Sequence, residues 1–163
     1  MILLSVIGLA LYAGALIFAA ASDLLRYQIP NWVVAAVLAG FVLYAIHLPF
    51  STALLDLSAA LTVLVLTAIG FAYGVMGGGD AKLMSATALW TGWGLLLPFL
   101  LLTSMGGALL ALLLLALRRI TATLPPDRWY SPVLARGAGI PYGLAIAFSG
   151  LVLLVPIGAT ALR

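Results

Sequence analysis

Apolar runs near 2 to 22, 32 to 48, 54 to 76, 81 to 95, 98 to 117 and 140 to 160 follow one another along almost the whole chain, separated by short polar connections. A bilayer core about 30 Å thick takes roughly 20 apolar residues of helix. The pattern therefore predicts an all-α, polytopic membrane bundle of about six transmembrane helices. Composition agrees: 7% of residues are charged, against about 25% in soluble domains, so the exterior must face lipid. No internal repeat, low-complexity tract or soluble second domain interrupts the series, and 1–163 reads as a single integral-membrane domain.

The cations report topology. Arg26, Lys82, Arg118, Arg119, Arg128 and Arg136 fall on one side of this arrangement, and only Arg163 falls on the other. By the positive-inside rule the cation-rich side is cytoplasmic and both termini lie outside. These cations form no basic stripe, so no nucleic-acid partner is expected, and the expected surroundings are the lipid bilayer. A cleaved signal peptide is the other way to read the first run, with Ala19-Ala20-Ala21 as the cleavage site. It lacks a basic n-region, and its apolar run is nearer span length. Trp32, Trp90, Trp93 and Trp129 are placed like interfacial anchors, although packing is the preferred reading for them. Gly70 with Gly74, and Gly106 with Gly107, are small-residue pairs that would let helices approach closely.

Chemistry is confined to few groups. The chain has no Cys and no Glu, and a single His. Disulfides, thiolate metal sites and a cysteine nucleophile are excluded, and no metal site is expected. Acid or base work falls to Asp23, Asp56, Asp80, Asp127 or His47. Asp56 opens the third run beside Ser51 and Thr52, where a carboxylate complements a helix N-terminus. Asp127 lies between Pro125-Pro126 and Arg128 and reads as a solvated ion pair. Asp23 ends the first run, and the chain goes out and returns before it reaches Asp80, so these two share one side. Asp56 precedes Asp80 by a full span, roughly 36 Å of helix, and cannot cooperate with it.

Asp80 follows Gly77-Gly78-Gly79, and the run after it is short: residues 81 to 91 make only about 16 Å of helix. The short span draws the glycine hinge below the headgroups, and a carboxylate at that depth is a functional candidate. Asp23 is followed by Ile29-Pro30-Asn31, in which Pro30 stops the first helix and Asn31 can cap the second. Local pairs, Asp23 with Arg26 and Asp80 with Lys82, are the structural alternative. Two carboxyls a few ångströms apart in a partly dry site cannot both ionise, so the pair holds one shared proton. That state suits hydrolysis: the ionised member takes a proton from water as it attacks a carbonyl, and the protonated partner serves the oxyanion and the leaving amine.

Gly77-Gly78-Gly79-Asp80-Ala81-Lys82-Leu83, with Leu89-Trp90-Thr91-Gly92 behind it, resembles the GxGD segment of the type IV prepilin peptidases, aspartic proteases that cut leader peptides from pilin-like precursors. Asp23 with Ile29-Pro30-Asn31 resembles the first aspartate segment of that family, and Gly139-Ile140-Pro141-Tyr142-Gly143 resembles a segment near the last span of its small Tad/Flp-type members. The resemblance implies Asp23 and Asp80 as catalytic residues, with Gly77, Gly79, Lys82, Ile29, Pro30 and Asn31 as motif and support. It implies a membrane-embedded aspartic endopeptidase of the bacterial inner membrane, acting at the cytoplasmic face on type IV (Tad/Flp-like) prepilins or pseudopilins. Larger relatives carry a cysteine-rich metal region and methylate their product. The lack of that region implies a peptidase-only enzyme without cofactor, and without S-adenosylmethionine. Archaeal preflagellin peptidases share these motifs, whereas Asp23 after Ser, and Ile140-Pro141-Tyr142, depart from the presenilin-like pattern. Buried aspartates and broken helices also suit a small proton-coupled transporter or a structural membrane subunit, but the middle of spans two, five and six offers little beyond scattered Ser and Thr, and Asp56 is the only acid toward the outer side.

Overall fold

The computed structural model describes residues 2–46, 48–121 and 139–161. Their regular elements are helices: α1 (Ile2–Arg26), α2 (Asn31–Ala45), α3 (Phe50–Ala72), α4 (Gly78–Thr121), α5 (Tyr142–Val152) and α6 (Leu154–Ala161). Ile2–Arg26, Phe50–Ala72, Gly78–Ile120 and Tyr142–Ala159 are long and apolar enough to cross a membrane, and α2 is a shorter apolar helix. The chain is thus a multi-pass, all-α membrane bundle, as its apolar pattern predicts. Asp127, His47, Trp129, Arg128, Arg136 and Arg163 lie outside the described residues.

Two predicted spans, 81 to 95 and 98 to 117, are joined in α4 across Gly92, whose φ of 51° and ψ of −170° are not helical. The break reverses the chain. Gly107 lies 27 residues beyond Asp80, which in a straight helix would be about 40 Å. Yet a Cβ on Gly107 would stand 2.8 Å from Tyr142 Cε1, and Tyr142 and Asp80 line one cavity. The two limbs of α4 therefore run back past each other and take the places of the two predicted spans. The first limb is the central helix of the bundle, since every residue from Ser85 to Gly92 is buried. Helix α4 packs on α2, α3 and α5, and α1 packs on α2 and α5.

Small residues and aromatics set these distances. The backbones of α1 and α2 nearly touch: a Cβ on Gly8 would meet the Gly40 carbonyl oxygen at 2.6 Å. Gly106 and Gly107 face Ala145 and Tyr142, as the sequence suggests for a close-packed pair. Gly70 and Gly74 do not form the expected pair, because Gly74 lies past the end of α3 with open space around it. Trp90 belongs to the core, stacked on Tyr12 with ring centroids 4.3 Å apart and on Tyr44 at 5.3 Å. Its indole donates to the Val37 carbonyl at 3.1 Å. Trp32 and Trp93 stay on the exterior, Trp32 against Phe18 and Trp93 donating to Ser58 Oγ at 2.8 Å.

The Gly92 turn holds the first limb of α4 in place, and its tolerance is narrow. Its positive φ disfavours any L side chain by about 1–2 kcal/mol, and a Cβ there would collide with the Asp56 carboxylate. Gly92→Ala is expected to lower the thermal unfolding midpoint of the detergent-purified protein and its level in membranes, while Gly94→Ala, with nothing within 4 Å of its Cβ, leaves both unchanged.

Candidate active site

The buried face of α1 runs Ser5, Gly8, Tyr12, Ala15, Leu16, Ala19, Ser22 and Asp23, a helical stripe with steps of three and four. The register that packs Tyr12 into the core therefore carries Asp23 inward, where it is 5% exposed. Helix α1 closes with the Tyr27 amide donating to the Asp23 carbonyl at 2.9 Å, and Tyr27 ends it at φ 53°. Ser22 Oγ then donates to the Gln28 carbonyl at 2.7 Å and folds the connection back toward the bundle. Pro30 continues it in extended geometry, φ −62° and ψ 142°.

That connection delivers Ile29 between two glycines. Its side chain would lie 3.3 Å from a Cβ on Gly79 and 2.8 Å from one on Gly143. The contact draws together the starts of α4 and α5. Asp80 sits in the first turn of α4, half-buried, and its Oδ2 would lie 2.8 Å from a Cβ on Gly77. The glycines before Asp80 thus serve close approach; the described glycines with positive φ are Gly74 and Gly92, not the expected Gly77-Gly78-Gly79 hinge.

Asp23 and Asp80 line one cavity of about 410 Å³, together with Gln28, Ile29, Asn31 and the Gly77–Gly79 segment. The Gly143 amide donates to Asp23 Oδ2 at 2.7 Å. The Gly143 and Gly77 amides also lie near the Asp80 carboxylate, which is close enough to Asp23 for their charges to interact. The Gly143 amide, at the start of α5, therefore bonds Asp23 and stands beside Asp80. Gly143 stands in a segment that the sequence singles out, but nothing in the sequence shows that its amide turns inward.

Neither local pair expected as the alternative forms its predicted contact. Lys82 Nζ donates to Asn31 Oδ1 at 3.1 Å, and the Asp23 carboxylate takes the Gly143 amide. Asn31 does not cap α2. The cap position is Pro30, without a side-chain hydrogen bond, because the Asn31 side chain is used to tie the start of α2 to the start of α4. Asp56 does not begin its helix either, since α3 starts at Phe50. Its carboxylate lies against Gly92, twelve residues or about 18 Å of helix from Asp80. Among the described residues no group of three His, Asp or Glu side chains gathers that could hold a metal ion.

The arrangement can do one kind of chemistry well. Two carboxyls and a few backbone donors in a half-buried cavity can share a proton, activate water and receive the proton back. A family model described as the type IV leader peptidase family matches residues 10–112, a stretch that contains Asp23 and Asp80 and ends before Gly143. No curated protein matches the chain, and no solved structure matches it.

Proposed function

The chain belongs to the type IV leader peptidase family, and from that membership we propose that it is an aspartic endopeptidase in which Asp23 and Asp80 cut the leader from type IV pilin precursors of the Tad or Flp kind. The observation that carries this is the one cavity that both carboxyls line, with Asp23 bonded by the Gly143 amide beside Asp80. The ionised carboxylate accepts a proton from a cavity water as its oxygen attacks the scissile carbonyl. The protonated partner donates to the developing oxyanion, the C–N bond breaks, and a proton passes to the leaving amine. Asn31, Lys82, Ile29 and the glycines support the pair by fixing the starts of α2, α4 and α5.

The cut falls at the cytoplasmic face of a bacterial inner membrane. Arg26, Lys82, Arg118 and Arg119 all stand at helix ends on the side of the bundle that carries the acids, which supports this orientation. An ion-transport role is disfavoured by a specific feature. Tyr12 and Trp90 lie about 15 Å along their helices from the acids and fill the bundle axis with stacked, buried rings. An ion path would have to pass through them.

Co-expression with a pilin-like precursor bearing a polar leader tests the proposal. Immunoblots should show conversion to a shorter species that depends on the chain. Asp56→Asn should convert the precursor as the wild type does, since Asp56 lies at the far end of the α4 limb. Equal conversion in membranes lacking the chain, or loss of conversion with Asp56→Asn in a protein that accumulates normally, would contradict it.

A further inference from the structure

Two unrelated oddities meet at Tyr27. Among the described residues it is the one non-glycine residue with positive φ, at 53°, a conformation in which Cβ crowds the following carbonyl oxygen. Its phenol hydroxyl is also shut off from solvent without a hydrogen-bond partner, although a buried phenol normally finds one. Among the described residues the other buried hydroxyls without a partner are those of Tyr12, Thr87 and Thr103, and they lie within helices. Tyr27 stands instead just past the end of α1, in the wall of the cavity that holds both carboxyls. One wall residue thus bears a backbone cost and a polar cost, and its hydroxyl gains no bond in return.

Neighbouring bonds hold this conformation. The Tyr27 amide donates to the Asp23 carbonyl at 2.9 Å, and Ser22 Oγ donates to the Gln28 carbonyl at 2.7 Å, so the tyrosine closes the same turn that carries the first acid. A peptide entering the cavity presses on this connection and brings main-chain carbonyls, the acceptor that the phenol lacks. From this we infer that Tyr27 positions the substrate: as the peptide enters, the phenol leaves its packed place and donates a hydrogen bond to a main-chain carbonyl of that peptide. The inference rests on the peptidase reading above and adds a substrate-binding residue to it. Because the hydroxyl is unpaired, its bond to the peptide gives up no bond within the chain, and the gain appears as tighter binding.

Steady-state cleavage of a pilin-like precursor by the full chain in nanodiscs, with the unfolding midpoint of each preparation, tests this. Tyr27→Phe deletes only the hydroxyl. It should raise KM about fivefold, the worth of one neutral hydrogen bond, with kcat within about twofold of the wild type and the unfolding midpoint unchanged or higher. A series of precursors with single amide-to-ester replacements around the cut finds the acceptor, since an ester carbonyl accepts more weakly. At one position the replacement should raise KM for the wild type and add nothing in Tyr27→Phe, the non-additivity of groups in contact. An unchanged KM for Tyr27→Phe, a loss confined to kcat, or losses that multiply at every ester position would each overturn the assignment. So would a lower unfolding midpoint for Tyr27→Phe, which would reveal a partner for the hydroxyl within the chain. Cleavage by Asp80→Asn at the wild-type rate would instead overturn the peptidase reading, and this inference with it.

Discussion

Asp23→Asn and Asp80→Asn should each slow leader cleavage by about 10²- to 10⁴-fold, the range in which a positioned acid or base contributes, with the protein present in membranes at its usual level. Asn keeps the shape of Asp and retains a carbonyl oxygen, so the Asp23→Asn side chain still offers an acceptor to the Gly143 amide that Asp23 accepts at 2.7 Å. What the substitution removes is the ability to take up, share and return a proton. The loss should therefore appear in kcat, with KM little changed. Full-length precursor remaining beside a normally accumulated variant is the expected immunoblot. Normal processing by either variant would remove that residue from the chemistry.

The second large effect is expected at Gly143, where geometry and not charge is at stake. An added Cβ would stand 2.8 Å from Asp23 Oδ2, 3.0 Å from its Cγ and 2.8 Å from Ile29 Cδ1. These are shorter than side-chain carbons tolerate, and none of the partners can retreat freely. Asp23 is held by the Gly143 amide itself, and Ile29 is wedged against Gly79. Gly143→Ala must therefore displace the Asp23 carboxylate from its position. Displacements near 1 Å in an active site cost on the order of 10²-fold, and the same loss is expected here. Gly139→Ala adds a methyl with nothing within 4 Å and should process normally. Equal activity for the two alanine variants would mean that Gly143 does not set the position of Asp23.

Much of this arrangement is legible in the sequence, because membrane burial leaves so few polar groups to account for. Asp23 and Asp80 stand out in a chain without Glu or Cys, and span counting alone places them on one side. Other features depend on tertiary contacts that no local pattern encodes. The end of α3 comes at Ala72 where the apolar run continues to 76, because Gly74 turns the chain before the motif. Asn31 looks like a helix cap and becomes a ligand for Lys82, a competition decided by where α4 begins. Asp56 reads as a helix-start residue, and its packing against Gly92 becomes visible only once the first limb of α4 is seen to end there. Gly143 is the largest omission, since a backbone amide has no side chain through which a sequence could announce its role.

The central claim is that Asp23 and Asp80 act as one unit, and a double-mutant cycle on cleavage rate tests it most directly. Groups that work as a unit are strongly non-additive, so Asp23→Asn and Asp80→Asn combined should be no slower than the slower single variant. Losses that multiply, with the double variant slower by the product of the two single effects, would show two acids contributing independently and would contradict a shared catalytic pair.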